Sequence, residues 1–481
     1  MPINSFLYPA KNVPVAYEVA NSLRFDRGST ASLNRTFGTP TNSKKLTISF
    51  WTKFIAESGN DHHAFSNGDS NANESLISFI NSGDHNLEIK EDISSSPTYQ
   101  FVTNRVFRDP NAWMHIVIAW DSSQSTESNR LKLYINGSQE TSLATANYPN
   151  LNQDIKFNTN IAQYIGKMHR DEGRFFNGYM AEIVWIDGQQ LDATSFGEFD
   201  SDSPNIWKPK DVSGLTFGNN GLYLDFEDSS ALGNDVSGNN NDFSVTNLAA
   251  TDQSTDTCTN NLTTLNPLAT TTTQGTVSEG NLEFDRSGSS DSFVSILSTI
   301  GASAGKYYAE IKIIDVGSPT QGCVLGFLNL DETNIMSSSS TYLGAATADA
   351  GMGWYSVGNV FRQGGHVNII NSYTDNDIVM LAMDLDNGYC YFGKNGSWEN
   401  SGDPTSGSSG TGGYATSNMT ANGTYCFAVS CREAGNVQMN FGSPPYSVSS
   451  GNADANGYGN FEYAPPSGYY TLNTKNLAEF G

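Results

Sequence analysis

Apolar positions along this chain recur with a period of two rather than three to four. Leu131, Leu133 and Ile135 alternate with Lys132 and Tyr134 and stop at Asn136-Gly137, a strong hairpin signal. Leu222, Leu224 and Phe226 alternate with Tyr223, Asp225 and Glu227. Val379, Leu381, Met383 and Leu385 share one face of a strand that ends at Asp386-Asn387-Gly388. A second turn, Asn395-Gly396, frames Tyr389-Cys390-Tyr391-Phe392 as a hairpin strand, and Val437, Met439 and Phe441 form a further face. Helical periodicity is almost absent. Many short strands with regular turn signals predict an all-β chain of antiparallel β-sandwiches or jelly rolls.

Breaks in the pattern divide the 481 residues. Residues 1–20 form an arm with Pro2, Pro9 and Pro14, suited to anchoring or to pairing along a neighbour's sheet edge. Residues 21–200 hold a first set of strands, and residues 201–265 a loop-rich connector. Residues 266–446 hold a second set, and residues 447–481 form a Gly/Ser/Pro-rich tail. The Ser/Gly tract 401–413 reads as a long exposed loop.

Composition narrows the class. Charged residues are 16 %, and 46 Gly with many Ser, Thr and Asn supply the polarity. Aromatics at 11 % exclude a disordered chain. Lys+Arg number 25 against 50 Asp+Glu, a net charge of −25, so a nucleic-acid partner is not expected. No apolar run reaches the roughly 18 residues of a membrane span, and Met1 to Pro9 lacks a secretory signal. The five cysteines, Cys258, Cys323, Cys390, Cys426 and Cys431, read as buried or inert thiols rather than a disulfide framework. Cys426 and Cys431 are five apart and point to opposite faces of a regular strand.

The first set resembles the concanavalin A-like lectin superfamily in its laminin-G-like form. The resemblance rests on Ser22–Asp26, Leu46–Phe54, Trp113–Asp121, Leu131–Gly137, Ile165–Lys167 and Phe175–Ile183. It implies a jelly roll of two antiparallel sheets. Such modules usually begin with an apolar strand and an Asp-x-Ser-Gly-Asn loop. Here that piece follows the module, as Leu222–Glu227 and Asn234–Asn239, and is expected to pack back onto it as a displaced strand. The second set resembles the SPRY family, also a β-sandwich. The matching runs are Gly305–Ile311, Val324–Phe327, Gly353–Tyr355, Asp377–Gly388, Phe392–Gly396, Phe427–Ser430 and Val437–Gly442. Two such modules in one chain, with the Pro-Pro-Ser-Gly-Tyr run at 465–469, look like virion proteins of marine bacteriophages, such as tail fibres or surface appendages.

Catalytic signals are missing, so the chain is not expected to be an enzyme. Glycan hydrolases need two carboxylates across the scissile bond, at i and i+2 or i+4 on a strand. Glu88-Ile89-Lys90-Glu91-Asp92 spreads its acids over both faces; Asp225 and Glu227 read as solvent-facing, and Asp386 starts a turn. His62, His63, His85, His115, His169 and His366 are scattered, with no nucleophile elbow and no phosphate-binding fingerprint. No cofactor is certain. Calcium is the one inorganic candidate, because Asp/Asn-rich loops place Asp69, Asp235 and Asp242 where oxygen ligands could gather.

Sugar binding needs an aromatic face for C–H groups and amides or carboxylates for hydroxyls. The candidates are Tyr148, Tyr164 and Phe175 in the first module and Tyr342, Trp354, Tyr355, Phe361 and Trp398 in the second. The resulting expectation is a phage virion surface protein, assembled in the host cytoplasm, that binds host surface glycan or receptor without catalysis. Its other partners would be virion proteins, including copies of itself. The alternatives are a structural head-decoration or fibre protein and a glycan depolymerase.

Overall fold

The computed structural model describes residues 17–55, 59–70, 72–81, 85–170, 173–270, 275–286, 288, 292–317, 322–330, 341–345, 351–416 and 423–481. Most of the arm, residues 1–16, lies outside the described residues. Two β-sandwiches account for four large sheets. Every strand pairing within them is antiparallel except that of Tyr470–Thr471 with Lys306–Asp315.

In the first sandwich, sheet I runs Ser138–Gln139, Leu131–Ile135, Trp113–Asp121, Lys45–Phe54, Gly178–Asp187, Ser22–Phe25, Gln253–Ser254. Sheet II runs Leu143–Asn147, Ser96–Val106, Asn86–Ile93, Asn73–Ile80, His62–Ser70, Ala162–Ile165, Ser32–Thr36, Ser244–Thr246. Alternation decides which side chains meet between them. Ile48, Phe50, Ile116, Ile118 and Trp185 from sheet I face Phe65, Ile77, Phe79, Ile89 and Tyr99 from sheet II, all buried.

The connector belongs largely to this sandwich. Leu222–Leu224 pairs with Gly178–Asp187 in the register Ile183↔Leu224. Ser244–Thr246 pairs with Ser32–Thr36, and Gln253–Ser254 with Ser22–Phe25. The displaced piece thus returns to the module it resembles, and Leu222, Leu224, Phe226, Leu232 and Phe243 complete the first core.

In the second sandwich, sheet III runs Leu265–Thr270, Val294–Ser298, Tyr425–Cys431, Val324–Asn329, Gly351–Tyr355, Asn359–Arg362, Gly365–Ile369. Sheet IV runs Thr276–Ser278, Glu283–Asp285, Asn436–Asn440, Lys306–Asp315, Ile378–Asp384, Tyr389–Lys394, Ser397–Trp398. Their shared core includes Leu325, Phe327, Trp354, Leu381, Phe392, Phe427 and Met439.

Two polar segments take defined places in the fold. The C-terminal tail is a structural layer: Phe461 and Tyr469 pack on Tyr308, Met380, Ala382 and Tyr391 of sheet IV, and Thr474–Phe480 closes the chain as a helix. The tract 401–413 is a loop, mostly exposed or half-buried as expected, with Pro404 and Gly410 buried. It contains a 3-10 segment, Pro404–Ser409, with Pro404 buried, and Tyr469 Oη donates to the Pro404 carbonyl at 3.0 Å.

Candidate functional site

Each sandwich has two outward sheet faces, and three of the four carry apolar side chains. Val19, Phe196, Trp207, Val212 and Phe217 cover sheet I over Trp51, Val117 and Val184. The tail covers sheet IV. On sheet III, Phe293, Leu297, Val324, Leu343 and Tyr355 form an apolar layer.

The outward face of sheet II is different: it is mostly polar, buried at Ser66, Leu76, Ser78, His63 and Glu74 and half-buried at Asn34, Tyr164, Glu88, Lys90, Asp92 and Gln100. Registered pairs define one row across all eight strands: Ser244, Asn34, Tyr164, Ser66, Leu76, Lys90, Gln100 and Asn147. The flanking rows add His63, Ser78 and Glu88 on one side and Glu74 and Asp92 on the other. Leu87 and Ile89 point into the core, so Glu88, Lys90 and Asp92 point out.

A polar network organises this face. Lys90 Nζ donates to Asp92 at 2.8 Å and lies 3.4 Å from Glu74, while Arg170 approaches Glu74 at 3.1 Å. Gln100 donates to Glu88 at 2.7 Å. Burial works against the Lys90 charge, but Asp92, Glu88 and Glu74 outweigh it and raise its pKa. Burial raises the Glu88 carboxyl, although Gln100 and Lys90 oppose it. His63 bonds Ser78 at 2.8 Å; burial, then Arg174, Lys90, Arg27 and Arg170, depress it to about 3, so its ring is neutral.

Lys167 and Arg170 reach one end of the face. Ser66 Oγ donates to the Lys167 carbonyl at 2.7 Å. The Lys167 ammonium stands 5.3 Å from the Tyr164 ring centre and 5.9 Å from that of Phe175. Two rings therefore flank a cation beside a floor of carboxylates, an amide and hydroxyls. Such a floor presents donors and acceptors in fixed positions, and the rings present an apolar wall.

The sequence candidates distribute unevenly. Tyr164 and Phe175 come together, Tyr164 half-buried and Phe175 8 % exposed. Tyr148 packs on Phe101 with ring centres 5.1 Å apart, against the first core. Tyr342, Tyr355 and Phe361 gather with Phe293 on sheet III, Tyr342 lying 4.7 Å from Phe293 and 5.4 Å from Phe361. Trp354 must be corrected as a ligand aromatic. It is 0 % exposed, inside the second core, and its indole donates to the Asn371 carbonyl. Trp398 sits on the opposite sheet beside Tyr308 and Tyr391.

The calcium candidates do not fit a cation. Asp235 is buried, and its two oxygens accept from Tyr223 N, Ser237 N, Ser237 Oγ and Asn241 N. Its lone pairs are engaged by donors, whereas Ca²⁺ requires converging oxygens. Asp242 accepts Asp235 N, and Asp69 is exposed with Ser70 and Asn73 as partners. Among the described residues no three His, Cys, Asp or Glu side chains are placed to share a metal. A cavity of about 360 Å³ beside Leu232, Phe243 and Leu248 includes Asp242 as its one charged lining residue.

Residue-by-residue reading missed Lys90, Gln100, Glu74, Lys167 and Arg170. The alternation of Leu87 and Ile89 with Glu88, Lys90 and Asp92 carried the signal for the first of these. Glu74, Lys167 and Arg170 arrive from other elements and had no local mark.

Residues 26–192 match the Laminin_G_3 family model, described as concanavalin A-like lectin/glucanases superfamily. No curated protein matches the chain. Among solved structures, the SPRY domain of human HERC1 is similar at 15 % identity, with 36 % of this chain and 96 % of that one covered and a TM-score of 0.28. A second human SPRY domain is similar at 13 % identity, covering 34 % and 94 %, with a TM-score of 0.25. The native heptameric SAP-like pentraxin from Limulus polyphemus is similar at 16 % identity, covering 37 % and 80 %, with a TM-score of 0.27. Residues 26–192 of this mostly β chain are thus similar to the concanavalin A-like lectin/glucanases superfamily.

Proposed function

We propose that this chain is a non-catalytic glycan-binding protein of a bacteriophage virion surface, and that it holds its ligand on the outward face of sheet II. The observation that carries the reading is the polar row from Asn34 to Asn147 with Tyr164, Lys167 and Phe175 at one end. Saccharide hydroxyls match its carboxylates, amide and ammonium, and a sugar's C–H face matches its rings. In a chain of net charge −25, Lys90, Lys167, Arg170 and Arg174 offset Glu74, Glu88 and Asp92 here, so an acidic sugar is not repelled. The concanavalin A-like fold of residues 26–192 is consistent with carbohydrate binding. The virion setting rests on the resemblance of the tandem modules to phage surface proteins.

The engagement of the acids supports binding over hydrolysis. Glu74 and Asp92 lie directly opposite each other on paired strands, and both are held by Lys90, with Arg170 also on Glu74. Glu88 accepts from Gln100. The carboxylates of this face are thus paired with cations and an amide.

The test is binding of the purified chain to a panel of immobilised bacterial surface polysaccharides, with Ca²⁺ and then with EDTA. Saturable binding unchanged by EDTA, without release of reducing ends, is expected. Loss in EDTA would contradict the metal-free site; release of reducing ends would revive a depolymerase. No binding to any polysaccharide would favour a structural decoration protein.

A further inference from the structure

Two of the five cysteines meet inside the second sandwich. Val324 pairs with Ser430 on adjacent antiparallel strands, which puts Cys323 directly across from Cys431. Their Sγ atoms are 2.7 Å apart, and both residues are 0 % exposed. Directly opposed residues on antiparallel strands have Cα atoms about 4.5–5.5 Å apart, inside the disulfide range of about 4.4–6.8 Å. Shortening the contact to a bond of about 2.05 Å therefore needs side-chain rotation, not strand movement.

The surroundings hold the pair in place. Tyr373 Oη donates to the Cys323 carbonyl at 2.7 Å. The turn Arg432–Gly435 closes over the sulfurs, with Glu433 and Ala434 both at positive φ. A Cβ on Gly435 would meet Cys323 Sγ at 2.7 Å, so a larger residue there would strike the pair. The other cysteines are placed differently. Cys258 lies in the layer over sheet I, Cys390 is in sheet IV, and Cys426 faces the outer layer of sheet III.

We propose that Cys323 and Cys431 are a disulfide-forming pair, closed when the chain folds in the presence of a low-molecular-weight disulfide. One cysteine thiolate attacks the small disulfide, whose S–S bond breaks and expels one small thiolate. The second cysteine thiolate attacks the mixed disulfide, the Sγ–Sγ bond forms, and the other small thiolate leaves. The two cysteine protons end on the two small thiols, and the two electrons lost by the protein reduce the small disulfide. Both sulfurs are enclosed in the folded state, so exchange occurs while the chain is still open, and burial then shields the bond. The bond would staple the central strands of sheet III across a separation of 108 residues, beneath the Tyr342, Tyr355 and Phe361 cluster.

The full chain is unfolded, refolded in a buffer of reduced and oxidised glutathione, then denatured and alkylated with iodoacetamide before mass analysis. Three alkylated cysteines and a linked peptide pair containing Cys323 and Cys431 are expected, against five alkylated cysteines after reduction. The oxidised chain should melt about 5–15 °C above the reduced one. Cys431→Ser should show four alkylated cysteines and the same melting with and without reductant. Five free thiols in the refolded wild type, or a bond joining any other pair, overturns the assignment.

Discussion

Glu182 sits where sheet I changes register: the pairing with Lys45–Phe54 slips between Ala181 and Val184, and Glu182 adopts a φ of 51°. Such a bulge re-aims a side chain. Its carboxyl accepts from Tyr17 at 2.9 Å and from Tyr223 at 2.7 Å, and burial raises its pKa to about 7. A raised carboxyl pKa means that the folded chain keeps a proton the unfolded chain releases. The associated stability is full below about pH 4.3 and is lost as pH rises through about 7. The expected size is about 3 kcal/mol. In urea unfolding, Glu182→Gln should gain stability relative to wild type by roughly that amount between pH 4.5 and pH 8. A difference that is flat with pH would show that Glu182 titrates normally. Adjacent residues also show what a sequence conceals. Trp354 and Tyr355 must point to opposite sides of a strand, but both sides of sheet III are apolar, so alternation alone could not say which ring was enclosed.

At the level of elements, the displaced strand was legible because its motif is local: an apolar alternation followed by an Asp-rich turn. Asp235 holds that turn with four accepted hydrogen bonds, and Leu222–Leu224 brings it to sheet I. A chain ending at residue 200 loses this strand and the two further connector strands, Ser244–Thr246 and Gln253–Ser254, that pair with Ser32–Thr36 and Ser22–Phe25. It should fail to give a cooperative thermal transition, whereas a chain ending at residue 262 should retain more of the first core. Equal melting of the two would contradict the assignment of the connector. The C-terminal layer was not legible for the opposite reason. Its hold on sheet IV comes from a few separated side chains, Phe461, Tyr469 and Leu472, and from Glu310 accepting the Glu462 and Tyr463 backbone N–H groups. Neither signal has a period.

At the scale of the whole molecule, the two sandwiches meet through polar groups, most of them buried. Tyr179 Oη donates to the Gly280 carbonyl at 2.8 Å, Arg24 approaches Asp252 at 3.2 Å and Glu279 at 3.4 Å, and Lys475 pairs with Glu18. Lys53, fully enclosed, donates to Asp256 at 2.5 Å, to Asn261 at 2.9 Å and to the Leu262 carbonyl at 3.2 Å. Removing one partner of such a pair strands the other charge, so Asp256→Ala should lower unfolding free energy by about 3–5 kcal/mol in denaturant titration. A loss below about 1 kcal/mol would mean that Lys53 finds water or another acceptor. The junction was invisible in the sequence because its partners lie up to 457 residues apart. It joins the two modules away from the outward face of sheet II. The most direct test of that face is the affinity of Tyr164→Ala and Lys90→Met for the polysaccharide that the wild type binds, with Phe361→Ala on sheet III as the control. The account expects each sheet II substitution to weaken binding about 10-fold or more, and the control to bind as the wild type does. Unchanged affinity in both sheet II variants, or a loss confined to Phe361→Ala, would contradict it.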